Sequence, residues 1–294
     1  MKKLILSCIT AGFLLGLVTV AGAHLGELHF IFQFPDGFEP SMDGNLDDWS
    51  MVPESYWVTA DKMSNQFSGA MDLSDFNCRY AWGWNNTQNR LYFGAWLYDD
   101  MRHGSEHWSI EVDASHSGAE YDKQGDNSLA AMSEDEFKRW RNARAQKYDF
   151  AYPQDPGGYI VRNKNAATWD LELPWTTWGS AQLAGVPDDF DTPDEIVQEL
   201  MITPWEDLNW IGPDESKIVD LEEGLIVGIE VNTGDKDSDP GKYDDAYWRT
   251  FAGVNAWAYA NQFGDWLLAP VEEGLFPTAV ESMTWGRIKY TFVK

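Results

Sequence analysis

Residues 77–84 alternate small or polar with large apolar side chains at the period of two of a β-strand, and residues 90–99, rich in aromatic and aliphatic side chains, form a second strand-like run. The polar segment Asn85-Asn86-Thr87-Gln88-Asn89 between them has the length and composition that close an antiparallel hairpin. This alternation places Tyr80, Trp82 and Trp84 on one face of the first strand, and Tyr92, Trp96 and Tyr98 on one face of the second. Further short runs predict strands at 107–113, 158–162, 168–173, 225–232, 254–261 and 286–293. Asp43-Gly44-Asn45-Leu46-Asp47-Asp48-Trp49 passes from Asp-Gly turn chemistry to a tryptophan and is expected to open the first strand. Many short strands separated by turn residues predict an all-β chain, an antiparallel β-sandwich of jelly-roll or immunoglobulin-like type.

Helix signals are few. Ser133-Glu134-Asp135-Glu136 is a capping box opening a charged run, and Thr192-Pro193-Asp194-Glu195 and Thr203-Pro204-Trp205-Glu206 place proline at a first helical position. They predict short helical insertions at the sheet edges, within segments at about 114–157 and 176–222 that exceed what a compact sandwich needs. With no repeat, low-complexity linker or change of composition, residues 24–294 read as one domain.

Lys2 and Lys3, an apolar run over 4–20 and the small-residue site Ala21-Gly22-Ala23 are the three parts of a secretory signal. Residues 1–23 are therefore expected to be removed, leaving His24 as the mature N-terminus of a secreted or periplasmic protein. Cys8 would leave with the signal, and Cys78 alone cannot form an internal disulfide. After the signal, no stretch approaches the roughly 18 consecutive apolar residues of a membrane helix. A net charge of −27 repels phosphate backbones and anionic lipids, which argues against nucleic acid and membrane partners and for neutral glycans or cations. The oligomeric state leaves no mark in the sequence.

Sixteen tryptophans exceed the usual needs of core packing and point to a ligand with flat apolar faces, although large side chains can also build a sandwich core. Asp235, Asp237 and Asp239 alternate in one loop, gathering the hard oxygen ligands that calcium requires; a solvated acidic turn would look the same. Proline stands where an EF-hand loop would need its glycine. Glu111 and Asp113 lie two apart on one predicted strand, a poor arrangement for glycoside cleavage, which needs carboxylates on opposite sides of the scissile bond. A mature N-terminal His24 could chelate copper with His29, His103, His107 or His116, resembling the histidine brace of copper-dependent polysaccharide monooxygenases.

The order of the blocks resembles the family 9 carbohydrate-binding modules and the wider DOMON-like sandwiches. The blocks are Met42–Trp49, the hairpin Tyr80–Asp100, Ile110-Glu111-Val112-Asp113 with Gly118 and Tyr121, and Gly158-Tyr159-Ile160-Val161 followed by Leu171-Glu172-Leu173-Pro174-Trp175. Gly224–Asn232 and the closing Phe263-Gly264-Asp265-Trp266-Leu267-Leu268 complete the set. The resemblance implies a non-catalytic, carbohydrate-binding sandwich with structural calcium, at most accessory to glycoside hydrolysis. It also implies that two aromatic jaws hold a terminal sugar: Trp257 falls at one jaw and Asn232 at a sugar-reading amide. His103 stands where the opposite tryptophan belongs, with Trp108 nearby. Trp82, Trp84 and Trp96 would extend the platform or form core. Some DOMON-like sandwiches hold haem, for which Met101 and His103 are the candidates, but the chain has no Cys-x-x-Cys-His motif.

Overall fold

The computed structural model describes residues 25–66, 71–101, 107–122, 132–151, 159–161, 167–185, 192–235, 237, 246–251, 253 and 255–272. The signal segment, His24, His103, Asp239 and the expected strand at 286–293 lie outside them. In chain order the strands among the described residues are β1 (Leu25–Gln33), β2 (Val58–Thr59), β3 (Ser64–Asn65), β4 (Phe76–Asn85), β5 (Arg90–Asp99), β6 (His107–Asp113), β7 (Gln146–Ala151) and β8 (Tyr159–Val161). They continue with β9 (Thr176–Ala184), β10 (Asp194–Ile202), β11 (Trp205–Asp207), β12 (Lys217–Ile218), β13 (Ile226–Asp235), β14 (Ala246–Arg249) and β15 (Gly264–Leu268).

Two sheets share β1. Its first part runs parallel to β15 in a sheet ordered β8-β7-β6-β13-β15-β1, here sheet A, with β14 beside β13 and β3 beside β14. Phe32 and Gln33 then run parallel to Gly83 and Trp84 of β4, opening sheet B in the order β1-β4-β5-β10-β9, with β2 beside β4. The other pairings are antiparallel, so β1 makes the expected antiparallel sandwich a mixed one. Switching sheets lets one strand close both edges that would otherwise present unpaired backbone groups.

Alternation then builds the core. Tyr80, Trp82, Phe93, Leu97 and Leu200 of sheet B pack against Trp108, Ile110, Tyr148, Val231 and Trp266 of sheet A in one buried cluster. The edge-on contacts of Trp108 with Phe93 at 5.6 Å and Tyr80 at 5.8 Å span the two sheets, and such aromatic pairs are each worth about 1 kcal/mol beyond area burial.

The hairpin β4–β5 forms where expected, and Asn89 adopts the left-handed conformation (φ 54°) that asparagine tolerates in turns. The Ser133 capping box is present and starts α1 (Glu134–Trp140). Other expectations are corrected. The strand expected at 168–173 is a 3-10 turn at Trp169–Leu171, and the described part of the one expected at 254–261, residues 255–261, is a turn segment with an isolated bridge from Tyr259 to Glu120. The proline-led segments at 192–195 and 203–206 enter strands, not helices: β10 pairs along its whole length with β5, and β11 with β12. Burial on both faces of β10 decides this, because Ile196, Val197, Gln198, Glu199, Leu200 and Ile202 are all enclosed. Segment 176–222 thus supplies β9 and β10 of sheet B.

Residues 43–49 form no strand either. Leu46–Met51 is a 3-10 helix whose cap, Asn45, accepts from the Asp47 N–H. The segment lies over the outer face of sheet B, where Gly94 of β5 and Gly179 of β9 flank Glu199 of β10 in register. A β-carbon at Gly94 would collide with the Trp49 ring, and one at Gly179 with the backbone of Met42 and Gly44. Glu199 Oε2 accepts the backbone N–H groups of Asp43 (3.1 Å), Gly44 (2.9 Å) and Asn45 (3.2 Å), while Oε1 accepts Trp49 Nε1 (2.8 Å). Burial pushes the Glu199 pKa up to about 7, against these donors, which favour the carboxylate.

Glu199→Ala strands four donors at once, and the expected loss is roughly 3 kcal/mol of unfolding free energy. Urea denaturation followed by tryptophan emission measures it; a change below about 0.5 kcal/mol, the range of ordinary surface substitutions, would show that the segment is held by other contacts.

Candidate functional site

The tryptophans singled out in the sequence separate into three environments. Trp82, Trp84 and Trp108 are at most 1% exposed and belong to the intersheet core, so none can stack on a ligand. Their place follows from strand parity, which turns them inward along with Phe93 and Ile110. Trp96 points outward from sheet B and is half-buried, with Nε1 donating to Glu195 at 2.7 Å. Trp257 is half-buried on the turn segment between Ala256 and Ala258, whose carbonyls accept from Tyr121 Oη (2.6 Å) and Tyr121 N (2.8 Å).

Asn232 lies on the outer face of sheet A in a polar layer that the sequence did not disclose. Register places Ser109 and Glu111 of β6 beside Asp149 and Lys147 of β7 on one side, and beside Asn232 and Glu230 of β13 on the other. Asn232 is 3% exposed, and its Nδ2 donates to Glu111 Oε2 at 2.7 Å. Ser109 Oγ donates to Glu111 Oε1 at 3.1 Å, and Lys147 Nζ lies 3.4 Å from the same oxygen. Burial disfavours the Lys147 ammonium, yet Glu111 and Asp149 outweigh it and hold the pKa above the usual lysine range. Burial also pushes the Glu230 pKa well up, with Glu111 adding repulsion, while Glu230 Oε1 accepts the Thr250 and Phe251 N–H groups. Asp113, the other member of the carboxylate pair, is buried and accepts from Gly118 N (2.8 Å) and Ser117 Oγ (3.0 Å), closing the turn after β6.

A cleft of about 840 Å³ opens between α1 and the β11–β12 hairpin, with Trp140, Trp210, Ile211, Arg144, Glu206 and Lys217 among its lining residues. Both tryptophans are half-buried and Ile211 is 66% exposed. The walls are fixed by a bidentate pair from Arg139 to Asp207, at 2.8 and 2.6 Å, and by Leu208 N donating to Ala143 O at 2.7 Å. Behind Trp210, the rings of Trp169, Trp175 and Trp205 contact one another at 5.3–5.6 Å between centroids. Glu120, which lines the cleft, bridges to Tyr259 on the segment that carries Trp257. Sequence reading passed over Trp140 and Trp210; the signal available was a tryptophan at the end of each helix-like or hairpin insertion.

The acidic loop after β13 meets the far end of the β4–β5 hairpin. Carboxylate oxygens of Asp75, Asp235 and Asp237 lie within 4.8 Å of one another, as do those of Asp99, Asp100 and Asp237. The expected trio is thereby altered: Asp235 and Asp237 take part, Asp239 lies outside the described residues, and Asp75, Asp99 and Asp100 join from a distant hairpin. Burial, followed by repulsion from Asp237 and Asp100, pushes Asp75 up to about 6. Among the described residues, the groups of three or more potential metal ligands consist of aspartates; His116 is hydrogen-bonded to Asp265 at 2.8 Å, and His29 packs on Phe251 and Trp266. No helix among the described residues is long and apolar enough to cross a membrane.

No protein-family model and no curated protein matches the chain. Two solved structures of a family 9 carbohydrate-binding module from Caldicellulosiruptor kristjanssonii share its fold. The one in complex with cellotriose is 16% identical, covers 84% of this chain and 96% of its own, and superposes with a TM-score of 0.52. The one in complex with glucose is 16% identical, covers 84% and 98%, and gives 0.53. The chain is thus a β-sandwich of the family 9 module type in fold.

The crowded aspartates make metal-free stability depend on pH. Because the folded-state pKa of Asp75 lies above its ordinary value, its contribution is greatest at low pH and is lost as pH rises through about 6. In chelator, the melting temperature should therefore fall between pH 5 and pH 7, and Asp237→Asn should flatten that fall. Parallel thermal melts of the two proteins check this; equal slopes would remove the cluster as the cause.

Proposed function

We propose that this protein is exported and binds carbohydrate without altering it chemically. The observation that carries this reading is the cleft in which Trp140 and Trp210 stand among charged side chains. Axial C–H groups of a pyranose pack on an indole face and release water, while carboxylates and cations satisfy hydroxyls that would otherwise be buried unpaired. A volume of about 840 Å³ lies within the roughly 300–1,000 Å³ of small-ligand sites. Family 9 modules of the same fold have been solved with cellotriose and with glucose, which supports the choice of ligand class. Trp257 is proposed as a further stacking residue, since its segment bridges to Glu120 at the cleft. Asn232 would act indirectly, by holding Glu111 within the polar layer. Export rests on the three-part signal at residues 1–23, and the absence of catalysis on the engagement of Glu111 and Asp113 in structural hydrogen bonds.

We further propose a structural calcium ion at the aspartate cluster. Asp75, Asp235 and Asp237, with Asp99 and Asp100, supply the dense oxygen set that calcium takes, and the ion would relieve the repulsion that raises Asp75.

Tryptophan fluorescence titrated with glucose and cellotriose tests the first proposal. Trp140→Ala and Trp210→Ala are each expected to weaken binding at least about tenfold, the effect of about 1.4 kcal/mol of lost stacking. Absence of a response to either sugar and to other neutral oligosaccharides would sink it. For the second, saturating calcium should raise the melting temperature by about 5 °C or more, as about 2 kcal/mol of ligand linkage does in a domain of this size. Asp237→Asn should abolish the rise; a rise of the same size in that variant would exclude the cluster.

A further inference from the structure

A second surface has the chemistry of a ligand site, on the outer face of the other sheet. Arg79 of β4, Trp96 of β5 and Val197 of β10 lie directly across from one another in register. The outward residues that precede Trp96 on its strand, Tyr92 and Gly94, are covered by Phe34 and Trp49. That cover ends at Trp96, which floors a groove of about 790 Å³. One wall is the segment Gly44–Asp47, and the opposite rim is Leu183 of β9, 57% exposed.

The groove is built from fixed parts. Trp96 Nε1 donates to Glu195 Oε1 at 2.7 Å, which sets the plane of the indole. The Arg79 guanidinium sits 4.7 Å from the centre of the Trp57 ring and 3.6 Å from Glu54, so it is held at the groove edge. The wall is anchored from below by Glu199 and tied within itself, Asn45 Nδ2 donating to Asp47 Oδ2 at 3.0 Å. A rigid aromatic floor, an apolar rim and preset polar groups keep the ordering cost of binding low.

We infer that this groove is a second carbohydrate site, taking a neutral oligosaccharide with one pyranose face on Trp96. Carboxylates of Glu195 and Asp47 accept from sugar hydroxyls, Arg79 donates to them, and Leu183 meets C–H edges. The two groove carboxylates, on a chain of net charge −27, repel uronate or sulfated chains and fix the ligand as uncharged. The inference shares its ligand class with the proposed function and none of its residues. With the Trp140–Trp210 cleft, it makes the protein bivalent, able to bridge two glycan strands or grip one twice.

Isothermal titration with cellotriose and with xylo- and manno-oligosaccharides tests it, using the full mature chain, Trp96→Ala, Trp96→Phe and the double variant Trp140→Ala/Trp210→Ala. Two sites per chain are expected in the parent, with one lost or weakened at least tenfold in Trp96→Ala and retained in Trp96→Phe. The double variant should keep the Trp96 site alone. The indole N–H resonance of Trp96, assigned by its disappearance in Trp96→Phe, should shift on titration. Parent stoichiometry and affinity in Trp96→Ala, together with an unmoved indole resonance, would overturn the second site and leave the cleft standing. Unchanged binding in the double variant, with loss in Trp96→Ala, would overturn the cleft and leave this site. No binding to any of these sugars would overturn both.

Discussion

The carboxylate of Glu199 is the point on which sheet B depends. It stands in the middle strand of a three-strand row, with a glycine on either side, and that trough admits the segment 43–49 to backbone distance. Three consecutive amides and one indole converge on it, so a single buried carboxyl group organises a stretch with no regular ladder of its own. Without the segment, Phe32, Phe34, Ala81 and Tyr92 would expose a second apolar face on a sheet whose first face is already the core. Glu199 thus turns a two-sided sheet into a two-layered structure, and it also positions the wall of the Trp96 groove.

The tryptophans divide along the same lines. A sandwich has about 10 Å between its sheets, and large rings fill that gap with few residues. Trp82, Trp108 and Trp266 serve this purpose; Trp84 donates to Ala269 O and Trp266 to Ile229 O, whereas the buried Trp82 Nε1 has no hydrogen-bond partner among the described residues. Among the half-buried indoles, Trp178 still packs against the core between the sheets and Trp169 and Trp175 against Trp205, which leaves Trp96, Trp140, Trp210 and Trp257 at the grooves and rims. A high tryptophan content therefore carried two messages, and only the parity of each strand separates them.

The strands were legible where large core-facing side chains alternate with small or polar ones, as in β4 and β6. Where both faces are covered the period disappears, and proline followed by acidic residues then mimics a helix start. That is the case at Thr192-Pro193-Asp194-Glu195, where the covering of β10 by residues 43–49 is a contact 150 residues away in sequence, seen in the bond from Trp49 to Glu199. The site was legible in part for the same reason. Asp235 and Asp237 announce themselves by spacing, but Asp75, Asp99 and Asp100 become neighbours only because the β4–β5 hairpin delivers its open end to the loop after β13. Trp140 and Trp210 come together only through the docking of α1 on the β11–β12 hairpin, through Arg139 and Asp207, and no local pattern encodes that pairing.

The two outer faces handle charge in opposite ways, and this determines where a ligand can bind. On sheet A, Glu111, Glu230 and Asp149 are enclosed, and Lys147 pairs with Glu111 and Asp149 among them. Opening that layer to a neutral sugar would exchange charge-assisted bonds for weaker hydroxyl contacts, a loss when the buried partner is left uncompensated. Under the proposed function, a ligand on this side would meet the rim, towards Trp257 and the cleft beside Glu120. On the outer face of sheet B the carboxyl group of Glu199 is enclosed and satisfied by the chain itself, and the next outward row is partly open. Arg79, Trp96 and Glu195 there retain solvent-facing surface, so a neutral glycan can be met without uncovering any buried ion.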